Sequence, residues 1–508
     1  MKRLISFAAV SVAIVASAYG EKLAQVVLAD SASITRQATL LGEQCGFPMI
    51  GMMAAQGLQS NPFAEMFGPM RDGACISITV SGDVAKLSES KSASAFAESL
   101  GVVALYPCTT TKEKFLAANP GTVETNGVMN LPPVIFPGYM KFSPDNKWVA
   151  IATREKDVKN AFQDAGKTTP AGGAAFDIRL TSAGAKFLGD YLRKELSKTK
   201  SGMSPAESAQ LDRTLDVISQ IGRALLAVRM SDKGLDFLYS ATPATGSELA
   251  KCGEKPFTKA DPLAFAGRES LAAGASAPDC GSANSLDCLD KVLAYLKDQG
   301  IKTDFVAVDR KGSECRLSID LQSIIKYVSS GEAEKSFKGL SDPVAFLKGL
   351  QAASTPASDG KFRAASPEMA MSLSLKGVTL PSTASQRYAK TVPELNSKRP
   401  FSVCVFSLYA LFRSVIDGVV AAKTDDPQVK KMKPMLQALP AVGDGSIVGA
   451  FWRDRALLKG MVRISPEELK NITTFFTLFA IPTLSGEMGM VGGSDDDWED
   501  ESDEGDAQ

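Results

Sequence analysis

Not one of the 508 residues is a histidine. Catalysis by Ser-His-Asp or Cys-His constellations is thereby excluded, and so are zinc sites of the HExxH kind, because each requires an imidazole. The eight cysteines include no CxxC, so neither a paired-thiol zinc site nor a thioredoxin-like redox centre has a basis in the sequence. Tryptophan is scarce, at three residues, and aromatic side chains make up 7% of the chain, which weighs against a carbohydrate-active protein. Long apolar runs are missing as well. The stretches 401–412 and 473–484 are about twelve residues each, whereas a membrane helix needs roughly twenty. The mature chain is therefore expected to have no transmembrane span.

Motifs that would support a histidine-free enzyme are incomplete. Ser-x-x-Lys occurs at Ser88/Lys91, Ser197/Lys200, Ser323/Lys326 and Ser358/Lys361, a number that a Ser- and Lys-rich chain gives by chance. A penicillin-binding enzyme would add Ser-x-Asn and Lys-Thr-Gly; Ser282-Ala283-Asn284 is present, but neither Lys-Thr-Gly nor Lys-Ser-Gly exists. Gly166-Lys167-Thr168 resembles the end of a phosphate loop, yet Ala161 stands where the first glycine belongs and a helical segment precedes it, so it reads as a helix end. Gly443-Asp444-Gly445 with Gly449 misses the dinucleotide-binding spacing and reads as a turn. Glycosidase-type carboxylates meet in space rather than in sequence. A histidine-independent extracytoplasmic hydrolase, using paired carboxylates or a Ser/Lys pair, is thus the alternative to a non-enzymatic protein.

What the sequence does contain begins with Lys2 and Arg3, an apolar stretch at 4–15 and the small-residue sites Ala16-Ser17-Ala18 and Ala18-Tyr19-Gly20. This is the pattern of a secretory signal over residues 1–20, with the cleaved bond left open between the two sites. The short Ala/Val-rich leader suggests a bacterial source and a periplasmic or secreted product. An even number of cysteines in an exported chain favours disulfides. Residues 495–506 hold nine acids, Asp495, Asp496, Asp497, Glu499, Asp500, Glu501, Asp503, Glu504 and Asp506, and no base. Without them the formal charge of -1 becomes +8, and +6 once Lys2 and Arg3 are removed. Like-charged runs poor in apolar residues stay disordered, so 485–508 is expected to be a disordered acidic tail. The body's bases are dispersed and the tail would compete with phosphate, so no nucleic-acid partner is expected.

Hydrophobic periodicity predicts an α+β fold. Strand patterns alternate cleanly, as in Cys315/Leu317/Ile319/Leu321, Ile76/Ile78/Val80, Phe176/Ile178/Leu180 and Met371/Leu373/Leu375, which marks antiparallel sheet with one packed face. Four hairpins followed by helices are expected. Their strands fall at 139–142/148–152, 225–230/235–241, 305–308/315–321 and 447–452/457–464. Capping boxes are expected at Thr245/Glu248 and Ser465/Glu468. One long helix should start at Ser204-Pro205-Ala206-Glu207, and another is expected over 427–439. The Ala/Gly/Ser/Pro-rich residues 253–286 read as a linker between two similar α+β halves, 21–252 and 287–484, each an antiparallel sheet of hairpin-helix units packed against helices.

One further stripe stands out. Met49, Met52 and Met53 have i, i+3, i+4 spacing and share a helix face, with Met66 and Met70 following. Core packing is the commonest use of such a stripe; contact with a protein partner through adaptable thioethers and Cu(I) ligation are the others. The candidate partner-contact residues are Met49, Met52 and Met53 together with Asp495, Asp496, Asp497, Glu499, Asp500 and Glu501. No cofactor is expected. Taken together, the pattern points to a non-enzymatic binding or structural protein of the cell envelope with a protein partner.

Overall fold

The computed structural model describes residues 21–82, 99–130, 138–159, 161–199, 205–278, 285–307, 314–324, 368–395, 397–422 and 427–480. The signal segment and the acidic tail lie outside them, as do 308–313 and 325–367.

The fold is α+β, with helices packed on a mixed 17-stranded sheet. The amino-terminal strands are β1 (Glu21–Leu28), β2 (Ile76–Gly82), β3 (Leu100–Pro107), β4 (Glu124–Thr125), β5 (Val128–Asn130), β6 (Tyr139–Phe142), β7 (Trp148–Ala152), β8 (Phe176–Leu180), β9 (Ile221–Ser231) and β10 (Gly234–Pro243). Then come β11 (Ser270–Ser276), β12 (Thr303–Ala307), β13 (Glu314–Ile319), β14 (Met369–Leu375), β15 (Pro400–Phe406), β16 (Ile447–Asp454) and β17 (Leu457–Ile464). Residue pairing places them side by side in the order β4-β5-β6-β7-β3-β2-β1-β8-β9-β10-β17-β16-β15-β11-β14-β13-β12. Among the described strands only β13 and β14 run parallel.

The helices are α1 (Ser31–Cys45), α2 (Met49–Gln59), α3 (Pro62–Phe67), α4 (Lys112–Ala118), α5 (Glu155–Lys159) and α6 (Ser182–Thr199). They are followed by α7 (Pro205–Ser219), α8 (Ser285–Asp298), α9 (Ala384–Thr391), α10 (Leu408–Ala422), α11 (Pro427–Ala438) and α12 (Pro466–Phe475). Helix α6 packs its buried Phe187 against Ala24, Val26 and Val80 of the sheet. A second core gathers Phe67 from α3 and Phe115 from α4 over Met140, Phe142 and Ile151. A third places Ala384 of α9 with Val403, Val405, Val448, Ala450 and Met461.

Local chemistry explains the hairpins. In the β6–β7 turn Asn146 takes the left-handed conformation, φ 56°, which Asn tolerates better than most residues. There the Ser143 N–H donates to the Trp148 carbonyl at 2.9 Å and the Ser143 hydroxyl donates to Asp145 at 2.6 Å. Gly234, at φ 122°, closes the β9–β10 hairpin where a β-carbon would run into the Ile464 carbonyl oxygen. Only glycine fits there.

Three expectations are corrected. The 253–286 stretch is not only a connection, since β11 lies inside it and pairs with both β14 and β15. Its Ala- and Gly-rich sequence suits a strand buried between neighbours better than its low hydrophobicity suggests. No α-helix opens at Thr245; the chain makes one 3-10 turn at Leu249–Lys251, and Gln220 Oε1 accepts from the Leu249 N–H. Ser465 does cap α12, but Glu468 turns away from it and accepts from the Tyr409 N–H at 2.9 Å, so it serves the first turn of α10 instead. Among the described residues Cys45, Cys75, Cys108 and Cys404 form no disulfide. Cys315 and Cys404 share one row of the sheet with β14 and β11 between them, a span of about 14 Å at ordinary strand spacing and twice the reach of a disulfide. Cys280 lies outside the described residues.

The β10·β17 seam carries a charged pair directly opposite in register, Asp236 and Arg463, both with fully buried side chains. Arg463 donates from Nε and Nη2 to the two Asp236 oxygens at 2.6 and 2.9 Å. Its Nη1 meets Glu394 at 2.7 Å and the Thr391 carbonyl at 3.0 Å. Arg229 adds a second guanidinium to Asp236 at 2.6 Å. Every polar atom of the pair is thus answered, the condition under which a buried ion pair is tolerated.

Two predictions follow from this seam and from Glu468. Asp236→Ala leaves a buried guanidinium uncompensated and should cost about 3–5 kcal/mol in urea unfolding, whereas the apolar double replacement D236L/R463M should cost less than that single change. Burial raises the Glu468 carboxyl above its ordinary 4.5, although the Tyr409 and Leu408 N–H groups and Arg387 pull it down and Glu467 pushes it further up. Such a group holds a proton in the folded chain that the unfolded chain has released, so its contribution is complete below pH 4.5 and is lost as pH rises through the folded value. The stability of the native chain relative to Glu468→Gln should therefore decline above pH 4.5; a difference that is flat with pH would show that Glu468 does not titrate in the folded protein.

Candidate functional site

The methionine stripe sits on a helical corner at the amino-terminal end of the fold. Asp30 caps α1 by accepting from the Ser33 N–H at 3.0 Å. Burial works against the ionised Asp30 carboxyl, yet the bonds from Ser33 hold it below its ordinary value. Gly46, left-handed at φ 77°, ends α1, and α2 folds back on it. The contact is close because Gly51 faces Thr39, where a β-carbon would lie 2.9 Å from the Thr39 Cα. Ala54, 2% exposed, completes the inner side of α2.

That packing decides which way the methionines face. Met49, Met52 and Met53 are 62%, 54% and 57% exposed, with Phe47 beside them at 41%. They do not pack into the core, the use the stripe most often has. Met70 is buried in the aromatic core and Met66 packs against it, so the five methionines split into an outward group and an inward group. The acidic residues named with the stripe, Asp495 to Glu501, lie outside the described residues.

On the other flank of α2 a cleft of about 740 Å³ opens between α1, α2 and the 69–72 loop. Thr35, Arg36 and Thr39 line it from α1, Gln59 from α2, and Arg71 and Asp72 from the loop. The Arg71 guanidinium lies over the Trp148 ring, 5.2 Å from its centroid, a cation–π contact that fixes its position. Neither Arg36 nor Arg71 has a carboxylate partner among the described residues. A smaller, apolar groove of about 340 Å³ lies on the sheet beside the β10·β17 seam, where Ile178, Leu180, Leu226, Tyr239, Phe451 and Leu458 meet.

The sequence motifs examined for catalysis take structural roles where they are described. The Ser323 hydroxyl donates to the Asp320 carbonyl at 2.7 Å and accepts from the Lys302 N–H at 2.9 Å. Asp444 pairs with Lys390, and Gly445 gives its carbonyl to Ser407. Of the buried carboxylates, Asp177 is held by Arg179 and Asp236 by Arg463 and Arg229. Burial raises the Cys75 thiol and pushes that of Cys108 up to about 11, which disfavours the nucleophilic thiolate. No three or more Cys, Asp or Glu side chains converge to hold a metal ion among the described residues, and no described helix is long and apolar enough to cross a membrane.

Sequence reasoning found the methionines but missed the cleft. Its one local trace is the four-residue spacing of Ser31, Thr35 and Thr39, a polar line along α1. Arg71 and Asp72 enter from a loop whose approach to α1 is set by tertiary packing. Compared with family models, with curated proteins and with solved structures, the chain matches none.

Gly51→Ala should separate α1 from α2 and cost about 1–3 kcal/mol, the range for overpacking. The triple replacement M49S/M52S/M53S should lower stability in urea by no more than about 1.5 kcal/mol, three times the ~0.5 kcal/mol limit for one exposed position. A large destabilisation by the triple change would mean that the methionine face is packed in solution.

Proposed function

We propose that this chain is a non-enzymatic binding protein of the bacterial cell envelope, periplasmic or secreted, which holds a protein partner against the Phe47–Met53 face of α2. The observation that carries the reading is the outward exposure of three methionines on a helix whose inner side is fixed by Gly51 and Ala54, with Phe47 exposed in the turn just before it. Clustered apolar side chains left in water mark interaction surfaces, and thioethers mould to varied partners. The leader-like residues 1–20 support the envelope location.

The same reading includes two similar halves joined at the β10·β17 seam. Support comes from matched sequence and matched hydrogen bonds. Glu21, Leu23, Ala24 and Ala29 of the first recur as Glu269, Leu271, Ala272 and Ala277 of the second. The Leu23 carbonyl accepts from the Thr181 N–H at 2.8 Å and the Leu271 carbonyl from the Ser407 N–H at 2.9 Å. Likewise the Ala29 N–H donates to the Ala175 carbonyl at 2.9 Å and the Ala277 N–H to the Phe401 carbonyl at 2.7 Å. Each of those partners stands beside a strand, β8 or β15, that leads through two helices into a hairpin, β9–β10 or β16–β17. On this correspondence the second half begins at β11, earlier than composition suggests.

The test is affinity purification from the native envelope with the tagged full chain and with its M49S/M52S/M53S variant. At least one protein retained by the parent should fall about tenfold with the variant, as expected when a central apolar contact is removed. Equal recovery with both baits would sink the proposal.

A further inference from the structure

The cleft beside α2 holds two guanidinium groups that no described carboxylate neutralises. Arg71 is oriented by Trp148, and Arg36 projects from α1. Asp72, at the same cleft, is exposed and offsets only part of their charge. The Thr35 hydroxyl lies alongside, while that of Thr39 donates to the Thr35 carbonyl at 2.9 Å; Ala32, Ala55, Leu58 and Pro69 supply apolar lining around the two guanidinium groups, which are the cleft's donors for an anion.

The position of the chain's end supplies the matching chemistry. Helix α12 packs directly on α1, and the described residues stop shortly after it at Ala480. The following residues, 481–508, contain ten acids and no base. Asp495 is fifteen residues beyond Ala480, a separation of roughly 20 Å for a coil and about 50 Å fully extended. A tether that spans the gap makes the encounter intramolecular, so individually weak ion pairs suffice. A guanidinium fork donates two parallel N–H bonds to one carboxylate, and runs such as Asp495-Asp496-Asp497 offer several registers.

We propose that the Arg36/Arg71 cleft binds the chain's own acidic C-terminal segment, Asp495 to Asp506. This occupant stands apart from the partner reading above, because it requires nothing of the methionine face. The two are nevertheless linked by α2, which bears the methionines on one side and Gln59 at the cleft on the other. An acidic or polyanionic partner would have to displace the segment.

The experiment uses the purified full chain with a photoreactive benzophenone residue in place of Trp498. Irradiation should yield intramolecular cross-links mapping to 31–39 and 69–72. Raising NaCl to 0.5 M should cut their yield, since screening weakens exposed pairs, and R36Q/R71Q should reduce it about fivefold or more, the scale of two surface ion pairs. The tail variant D495N/D496N/D497N, which leaves the folded body untouched, should also reduce it and guards against a folding defect in the arginine variant. Cross-links mapping elsewhere, a yield indifferent to both variants, or products that form only between molecules would overturn the proposal. None of these readouts involves an envelope partner, so failure here is distinct from failure of the partner reading.

Discussion

The Asp236–Arg463 pair is the constraint on which the rest of the arrangement depends. It crosses the seam between strands more than two hundred residues apart in sequence, and its charges are fully removed from water. Desolvating two ions costs several kcal/mol each, and the attraction between them repays that only with good geometry and complete hydrogen bonding. The geometry exists only when Asp236 and Arg463 stand opposite each other. A shift of one residue along the seam would place each buried charge on the opposite face of the sheet. The pair therefore selects the register as well as holding the seam, and through Glu394, Thr391 and Arg229 it fixes α9 and β9 to the same point.

Most of the hairpins were legible in the sequence because their determinants are local. Alternation set the faces, and Ser143-Pro144-Asp145-Asn146 set a turn whose ends fall where the spacing places them. β11 was not legible, because a strand buried between neighbours needs neither alternation nor large side chains. Glu468 shows a different limit. Its sequence position satisfies the capping-box pattern, but α10 offers its N–H groups from outside α12, and burial of that end favours the longer-range bond.

The candidate site divides along the same line. Periodicity put Met49, Met52 and Met53 on one helix face but could not say which side of α2 would meet α1. That choice belongs to Gly51 and Ala54, whose small side chains permit the close approach that the methionines would prevent. The cleft gathers residues from two helices and a loop, and no spacing rule joins Arg36 to Arg71.

The seam also bears on how molecules of this chain relate to one another. Strands β10 and β17 pair antiparallel with Leu238 opposite Met461, and each belongs to a hairpin formed by its own local residues. Nothing in the pairing itself requires that the two hairpins come from one polypeptide; the intervening backbone supplies proximity alone. Other contacts do tie them to one chain: α12 packs on α1 and Arg453 donates to the Ala250 and Cys252 carbonyls, so a hairpin exchanged between copies would have to rebuild those contacts as well as the register.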